Sequence, residues 1–553
     1  MKQLVLSIRN LTIRSEGGGH AIVDNISLDV AKGEVVALIG ESGSGKSTIG
    51  LSCLGLFRPG LTYVGGDIEL EGSNLLGLPP RELQSLRGRR VAYVAQSAAA
   101  SFNPAIKLNS QVIEPSIAHG TRSASEALDR AISLYATVRL PQPNQIGSRY
   151  PHEVSGGQLQ RFMLAMGMLD APALLVLDEP TSALDVTTQV EVLMAMKSAV
   201  SAQGTSALFI SHDLPVVAQM ADRVVVLRNG RIVESGPTNE LLHSPKEAYT
   251  RELIAAFRKI DQKRLDISQE QDRKTVLSVQ DLSAGYGGRT RAGKPSVLAV
   301  ENASFNLARG EVLAVVGESG SGKTSLAQAI AGLLPRSVGS VRLHDVELSA
   351  SLGGRTKDQL RRVQMVFQMA DTALNPKHTI ARTLERVLEH FFRLPAAQRE
   401  KRIEQLLALV QLPPEIAARY PRQLSGGQKQ RVNLARALAA EPDVLICDEV
   451  TSALDTIVSV AVLDLIRELK AKLGLAVLFV SHDLAAISGI ADQTIVMRRG
   501  KIVEAGETAV ILDRPKHPYT QLLVSSVPEL RANWLQEAAP RNEALAKRIA
   551  AGV

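Results

Sequence analysis

Two octapeptides in this chain carry the residue types and spacing of a phosphate cradle. They are Gly40-Glu41-Ser42-Gly43-Ser44-Gly45-Lys46-Ser47 and Gly317-Glu318-Ser319-Gly320-Ser321-Gly322-Lys323-Thr324. Glycines at these positions let backbone N–H groups turn inward, and a helix starting at the lysine aims its positive end at the same point. Lys46 and Lys323 are then expected to reach the β- and γ-phosphates of a nucleotide, with the hydroxyls of Ser47 and Thr324 turned to Mg²⁺. Thr48 and Ser325 follow in the first helical turn and complete the candidate nucleotide contacts. Taken alone, the motif says only that a nucleotide binds, since many enzyme classes share it.

A second constellation narrows the chemistry. The apolar run 173–177 ends in Asp178-Glu179, and the run 444–447 ends in Asp448-Glu449. The first carboxylate of each pair suits a Mg²⁺ shell, usually through water. The second is placed to polarise an attacking water. Acids at a strand end often serve only to start a helix. Here Thr-Ser-Ala-Leu-Asp follows in both copies, which weakens that plain explanation.

These pairs belong to a chain written twice. Ser155 returns as Ser425, Asp178 as Asp448 and His212 as His482, at one constant offset of 270. One domain has been duplicated, in contrast to the short period of a solenoid. Each half opens on alternating strand-like sequence (4–13 and 276–282), and an apolar run (35–39 and 312–316) then feeds the glycine-rich loop. The stretches 110–140 and 380–412 read as helical, and further buried strands are expected at 207–210 and 477–480. Asn229-Gly230 and Arg499-Gly500, each between apolar runs, signal hairpins. Alternating strands and helices imply an α/β core with a mainly parallel sheet. The expected division is 1–259, a charged linker free of glycine and proline at 260–274, 275–530, and a tail over 531–553 with no legible motif.

Composition limits the function classes. The net charge of +7 is spread over 63 basic and 56 acidic residues without a dense cationic block, and aromatics are 3%. That favours a solvated mixed surface over a base-stacking one. Two cysteines, Cys53 and Cys447, cannot build a disulfide framework or a four-thiolate metal site, which fits a reducing cytoplasm. No signal peptide is expected, and no window reaches the ~18 apolar residues that read as a span, so a pore would come from other chains.

Ser155-Gly156-Gly157-Gln158 and Ser425-Gly426-Gly427-Gln428 each begin a helix-like run. Serine is a good N-cap, and two glycines permit close backbone approach to an anion. Each half therefore carries two kinds of phosphate-binding helix end. A head-to-tail pair uses both: Ser425, Gly427 and Gln428 against the nucleotide at Lys46, with Ser155, Gly157 and Gln158 against that at Lys323. Fusion enforces such pairing through effective concentration.

On these motifs the sequence resembles tandem nucleotide-binding domains of the ABC transporter superfamily, from Leu4 to about Pro528. The resemblance implies two tandem P-loop NTPase (ABC) domains, each a RecA-like, mainly parallel sheet core with an antiparallel β subdomain and a helical subdomain. It implies ATP and Mg²⁺ as cofactors. Gln96 and Gln368 would touch Mg²⁺ and sense a permease; His212 and His482 would contact the γ-phosphate; Asp185 and Asp455 would couple the two sites. The aromatic that stacks on adenine in the family fits Tyr286, whereas Ser15 stands at the matching place in the first half. Val154 replaces the family's signature leucine, and Val450 stands where the first half has Pro180. Both halves keep lysine, aspartate, glutamate and histidine, so two hydrolytically competent sites are expected.

The segment Arg514-Pro515-Lys516-His517-Pro518-Tyr519-Thr520, echoed by Ser244-Pro245-Lys246-Glu247-Ala248-Tyr249-Thr250, resembles the C-terminal signature of oligopeptide, dipeptide and nickel importer ATPases. Asn103-Pro104 and Asn375-Pro376 point the same way. That likeness implies an importer motor for peptides or related small solutes, peripheral on the cytoplasmic face of the inner membrane. Its partners would be two integral-membrane permeases and an extracytoplasmic solute-binding protein. No nucleic acid is expected, and no iron–sulfur cluster, since no cysteine follows Cys447. Ribosome-associated twin ATPases typically carry a long charged linker and lack the histidine, and repair or chromosome ATPases need zinc cysteines or long coiled coils.

Overall fold

A computed structural model describes residues 3–17, 19, 21–182, 184–262, 274–289, 295–452 and 454–550. Two compact units divide the chain. The first holds Met1–Phe257 together with Ser525–Ala544, and the second holds Arg258–Val524 with Leu545–Val553. The expected linker 260–274 falls mostly on 263–273, outside the described residues.

Each unit is built on a six-stranded sheet. In the first, the spatial order is Arg231–Pro237, Arg223–Arg228, Val35–Gly40, Ser206–Ile210, Leu174–Asp178 and Val91–Val94. All neighbours run parallel except the hairpin of the first two. The second unit repeats this order, from Lys501–Glu507 and Gln493–Arg498 through Val312–Val316, Ala476–Val480 and Val444–Asp448 to Val363–Val366. The central strands are uninterrupted apolar runs because both faces are covered; Val35–Gly40 and Leu174–Asp178 are buried throughout. Asn229 and Gly230 sit at φ 49° and 77°, as do Arg499 and Gly500 at 47° and 81°, the left-handed pair of a tight hairpin.

A four-stranded antiparallel sheet lies against each parallel one, formed in the first unit by Ala21–Ala31, Leu4–Ser15, Leu61–Leu70 and Ser73–Asn74. Leu6, Ile8 and Ile13 from this sheet share one core with Leu38, Val176 and Ile210 from the parallel sheet, and Ile49 enters it from the helix Lys46–Ser52. The phosphate loop is thus gripped on both sides by core packing. The second unit builds the same core around Leu277, Leu313, Leu326 and Ile446.

Helices are inserted between the edge strand and the strand that ends in the aspartate: Leu108–Ala118, Ala124–Thr137 and Gly156–Gly167 between Val91–Val94 and Leu174–Asp178, and Ile380–Phe392, Ala396–Leu409 and Gly426–Leu438 between Val363–Val366 and Val444–Asp448. The C-terminal segment is not a bare tail. Residues 534–550 form a helix, and Trp534 and Leu535 are buried. Within the first unit, the buried Gln219 amide donates to the carbonyls of Glu529 (3.0 Å) and Arg531 (2.9 Å) and accepts from the Leu535 N–H (3.0 Å).

Candidate functional site

In each unit the glycine-rich loop joins the C-terminal end of a central strand to a helix beginning at the lysine. Gly45 and Gly322 are the N-caps, at φ 97° and 104°. A Cβ on Gly45 would also stand 2.6 Å from the Ile22 carbonyl oxygen, so both backbone angle and space demand glycine. The buried Lys46 ammonium lies along the loop, donating to the carbonyls of Gly40 (2.8 Å) and Glu41 (2.7 Å). Lys323 does the same with Gly317 and Glu318, both at 2.8 Å.

The carboxylates arrive from another strand of the same sheet, one strand removed from the strand that feeds the loop. Ser47 Oγ donates to Asp178 Oδ1 at 3.0 Å, and Thr324 Oγ1 to Asp448 Oδ1 at 3.1 Å. These are hydroxyl and carboxylate oxygens side by side, the hard donors that suit Mg²⁺. Burial, joined by the charge of Glu449, pushes the Asp448 carboxyl up to about 6 against the pull of Thr324 and Lys323.

Glu179 and Glu449 follow in the left-handed region, at φ 46° and 48°. A non-glycine residue there is strained, and the strain turns each side chain off its strand's alternation. Each carboxylate is held from two sides. Gln96 Nε2 donates to Glu179 Oε2 at 2.9 Å while His212 Nδ1 lies 3.1 Å from Oε1. Gln368 donates to Glu449 at 2.7 Å, and His482 Nδ1 lies 3.3 Å away. Burial opposes charge on Glu179 and on His212, but their mutual hydrogen bond and attraction outweigh it. The carboxyl is lowered and the imidazole raised. For His482 the Glu449 hydrogen bond is the leading cause and raises it, while Glu449 is lowered. A carboxylate kept ionised beside a cationic loop can orient and deprotonate a water.

Ser155 and Ser425 cap their helices. Each hydroxyl accepts from the N–H of the glutamine three residues on (3.3 Å), whose side-chain oxygen accepts from the serine N–H (3.0 Å). Gln158 and Gln428 therefore hold the helix ends in shape. A Cβ on Gly157 would overlap Thr188 Cγ2, so packing as well as close backbone approach requires that glycine. Asp185 and Asp455 are also N-caps, accepting from the N–H of Thr188 and Val458. Tyr286 presents a half-exposed ring, its hydroxyl 3.1 Å from Ser325 Oγ. Within each unit, then, the lysine-bearing loop, the hydroxyl, two carboxylates, glutamine and histidine are joined by hydrogen bonds and ion pairs.

The contacts of three tyrosines escaped sequence reasoning. Tyr249 and Tyr519, the tyrosines of the Pro-Lys segments, accept hydrogen bonds from the loop N–H groups of Glu41 (3.1 Å) and Glu318 (2.9 Å). Both are buried beneath an arginine, Arg228 at 4.6 Å and Arg498 at 5.1 Å from the ring centre. Glu504 fixes the segment by accepting from the N–H groups of Lys516 (2.8 Å) and His517 (3.1 Å). Recurrence of Pro-Lys-x-x-Tyr in both halves was the available signal. The third is Tyr93, whose hydroxyl donates to Asp178 Oδ2 at 2.6 Å.

The family described as "ABC transporter" matches residues 23–182 and again 300–452. The family "Oligopeptide/dipeptide transporter, C-terminal region" matches 233–287 and 503–552. The chain is 38% identical over 537 residues to the peptidoglycan transport ATP-binding protein YejF of Agrobacterium fabrum, covering 96% of this chain and 97% of that one. It is 36% identical over 562 residues to the glutathione import ATP-binding protein GsiA of Escherichia coli K12, covering 95% and 89%. Among solved structures, CbiO1 of Clostridium perfringens is similar at 28% identity and a TM-score of 0.39, over 44% of this chain and 92% of that one.

Proposed function

Since the chain belongs to the ABC transporter family of ATP-hydrolysing subunits, we propose that it drives an importer for peptides or related small solutes from two composite ATP sites. The observation that carries this is the duplicated cluster, with lysine, hydroxyl, aspartate, glutamate, glutamine and histidine assembled in both units. In this reading the loop amides and Lys46 or Lys323 bind the β- and γ-phosphates. Each nucleotide is completed by the serine-glycine helix end of the other half: Ser425, Gly427 and Gln428 for the first, Ser155, Gly157 and Gln158 for the second. Tyr286 stacks on one adenine.

The oxygen donors fit Mg²⁺. Among the described residues, no group of three or more His, Cys, Asp or Glu side chains is placed to hold a metal ion by itself. Mg²⁺ prefers one or two carboxylates plus water and phosphate oxygens, which Ser47, Asp178 and Gln96, or Thr324, Asp448 and Gln368, would complete. When bound, it neutralises developing charge on the phosphoryl oxygens. Glu179 and Glu449 orient the attacking water and take its proton. His212 and His482 hold those carboxylates and face the γ-phosphate, and Gln96 and Gln368 steady them from the other side.

Closure of the halves on two ATP, and release after hydrolysis, would move attached permeases as a two-state coupling. The partners are two integral-membrane permeases docking near Gln96 and Gln368, with an extracytoplasmic solute-binding protein. The chain works on the inner face of the membrane. No helix among the described residues is long and apolar enough to cross a bilayer. The names of the relatives and the match to the oligopeptide/dipeptide region support the solute class. The test is purification of the tagged chain from detergent-solubilised membranes. Recovery of two multi-span proteins supports the importer; recovery of ribosomes or nucleic acid, or of no membrane protein, overturns it.

A further inference from the structure

The two sites differ beside the aspartate expected to face the metal. In the first unit the strand Val91–Val94 runs parallel to Leu174–Asp178, with Tyr93 opposite Val176. Alternation puts Val176 and Asp178 on one face, so the Tyr93 ring shares that face and reaches diagonally to the carboxylate. Its hydroxyl donates to Asp178 Oδ2 at 2.6 Å, while Ser47 donates to Oδ1 at 3.0 Å. Both oxygens are therefore fixed. In the second unit the register is the same, Met365 lying opposite Ile446 with Asp448 two residues on. Thr324 donates to Asp448 Oδ1 at 3.1 Å. Methionine has no O–H to offer Oδ2.

We propose that Tyr93 is a positioning residue for the divalent cation at the first ATP site, and that the second site lacks this support because Met365 stands in its place. This rests on the reading of Asp178 and Asp448 as the carboxylates of the Mg²⁺ shell. A carboxylate anchored at both oxygens cannot rotate when a metal-bound water presents itself, whereas one anchored at a single oxygen must be ordered at that moment. Hydrogen bonds of this outer kind typically carry about 10- to 100-fold in metal affinity. The two sites are therefore unequal in cation affinity, the first the tighter. A partly buried phenol also needs a partner for its own sake, and the test separates that explanation.

The experiment counts free Mn²⁺ by electron paramagnetic resonance, titrating it into the full-length chain with a non-hydrolysable ATP analogue. Wild type should give two affinity classes, and Lys46→Ala should remove the tighter one. Tyr93→Phe should weaken that class about tenfold, leaving the other class unchanged along with analogue binding in EDTA. Met365→Tyr, which adds the missing hydroxyl, should tighten the weaker class. Unchanged classes in both variants overturn the role of Tyr93. So does a Tyr93→Phe loss that extends equally to both classes or to binding in EDTA, which would mark a structural role. If Asp178→Asn leaves Mn²⁺ binding intact, the underlying reading of the carboxylate fails instead, independently of Tyr93.

Discussion

Glu179 is held in a left-handed backbone conformation with a histidine on one oxygen and a glutamine on the other. Such strain costs on the order of 1–3 kcal/mol and persists only where surrounding structure enforces it, here the Glu179 N–H bond to the Ile210 carbonyl on the neighbouring strand (2.9 Å). Both copies keep it, with Glu449 bonded in the same way to Val480. The pair with His212 has a pH signature. His212 is raised above its ordinary 6.5, so its contribution to stability is complete below that value and lost as pH rises through the raised pKa. Glu179 is lowered below its ordinary 4.5, so its contribution is complete above that value and lost as pH falls through the lowered pKa. The pair thus stabilises most between these two ordinary values. The melting-temperature gap between wild type and His212→Gln should be larger at pH 5.5 than at pH 9; an equal gap at both would show that the pair is not the source. The recurrence of the lysine loop, Asp-Glu and Ser-His-Asp in both halves made these residues legible, because each occupies a strand end or loop start that local sequence defines.

At the scale of elements, the phosphate loop is supported by more than the strand and helix it joins. The Pro-Lys segments reach it through Tyr249 and Tyr519, and neither contact was legible, since each spans about 200 residues: 249 against 41, and 519 against 318. Sequence patterning reports which residues share a face of one element and says little about which element lies behind it. Replacing Tyr519 with phenylalanine removes the hydroxyl that accepts from the Glu318 N–H, worth roughly 1–3 kcal/mol at a buried donor. Felt when nucleotide orders the loop, that loss should lower ATP affinity, measured with a fluorescent analogue, roughly 5- to 150-fold. An unchanged affinity would show that the loop keeps its shape unaided. The helix Gly426–Leu438, capped by Ser425, gives a second prediction. Ser425→Ala removes a hydroxyl cap, and the variant should lose about 1 kcal/mol of stability in denaturant titration.

At the scale of the molecule, the duplicated α/β architecture was written in the repeated motifs and their offset, and the parallel sheets follow from apolar runs too long for one covered face. The C-terminal segment was not legible. Its helix is short of motifs, and the part up to Ala544 is held in the first unit by Gln219, which has no counterpart in the second half, where Gly489 stands. Gln219→Ala should lower the melting temperature of the first unit while sparing the second, because two carbonyls and one N–H lose their buried partner; a single unshifted transition would refute the assignment. The central claim is that both clusters hydrolyse ATP. Its most direct test is the steady-state turnover of the purified full-length chain with Mg²⁺, beside Glu179→Gln, Glu449→Gln and the double variant. Each single substitution should lower turnover, and the double should lower it by about 10²-fold or more with nucleotide binding retained. Wild-type turnover in Glu449→Gln would contradict a working second site, and wild-type turnover in the double variant would contradict the assignment of both carboxylates.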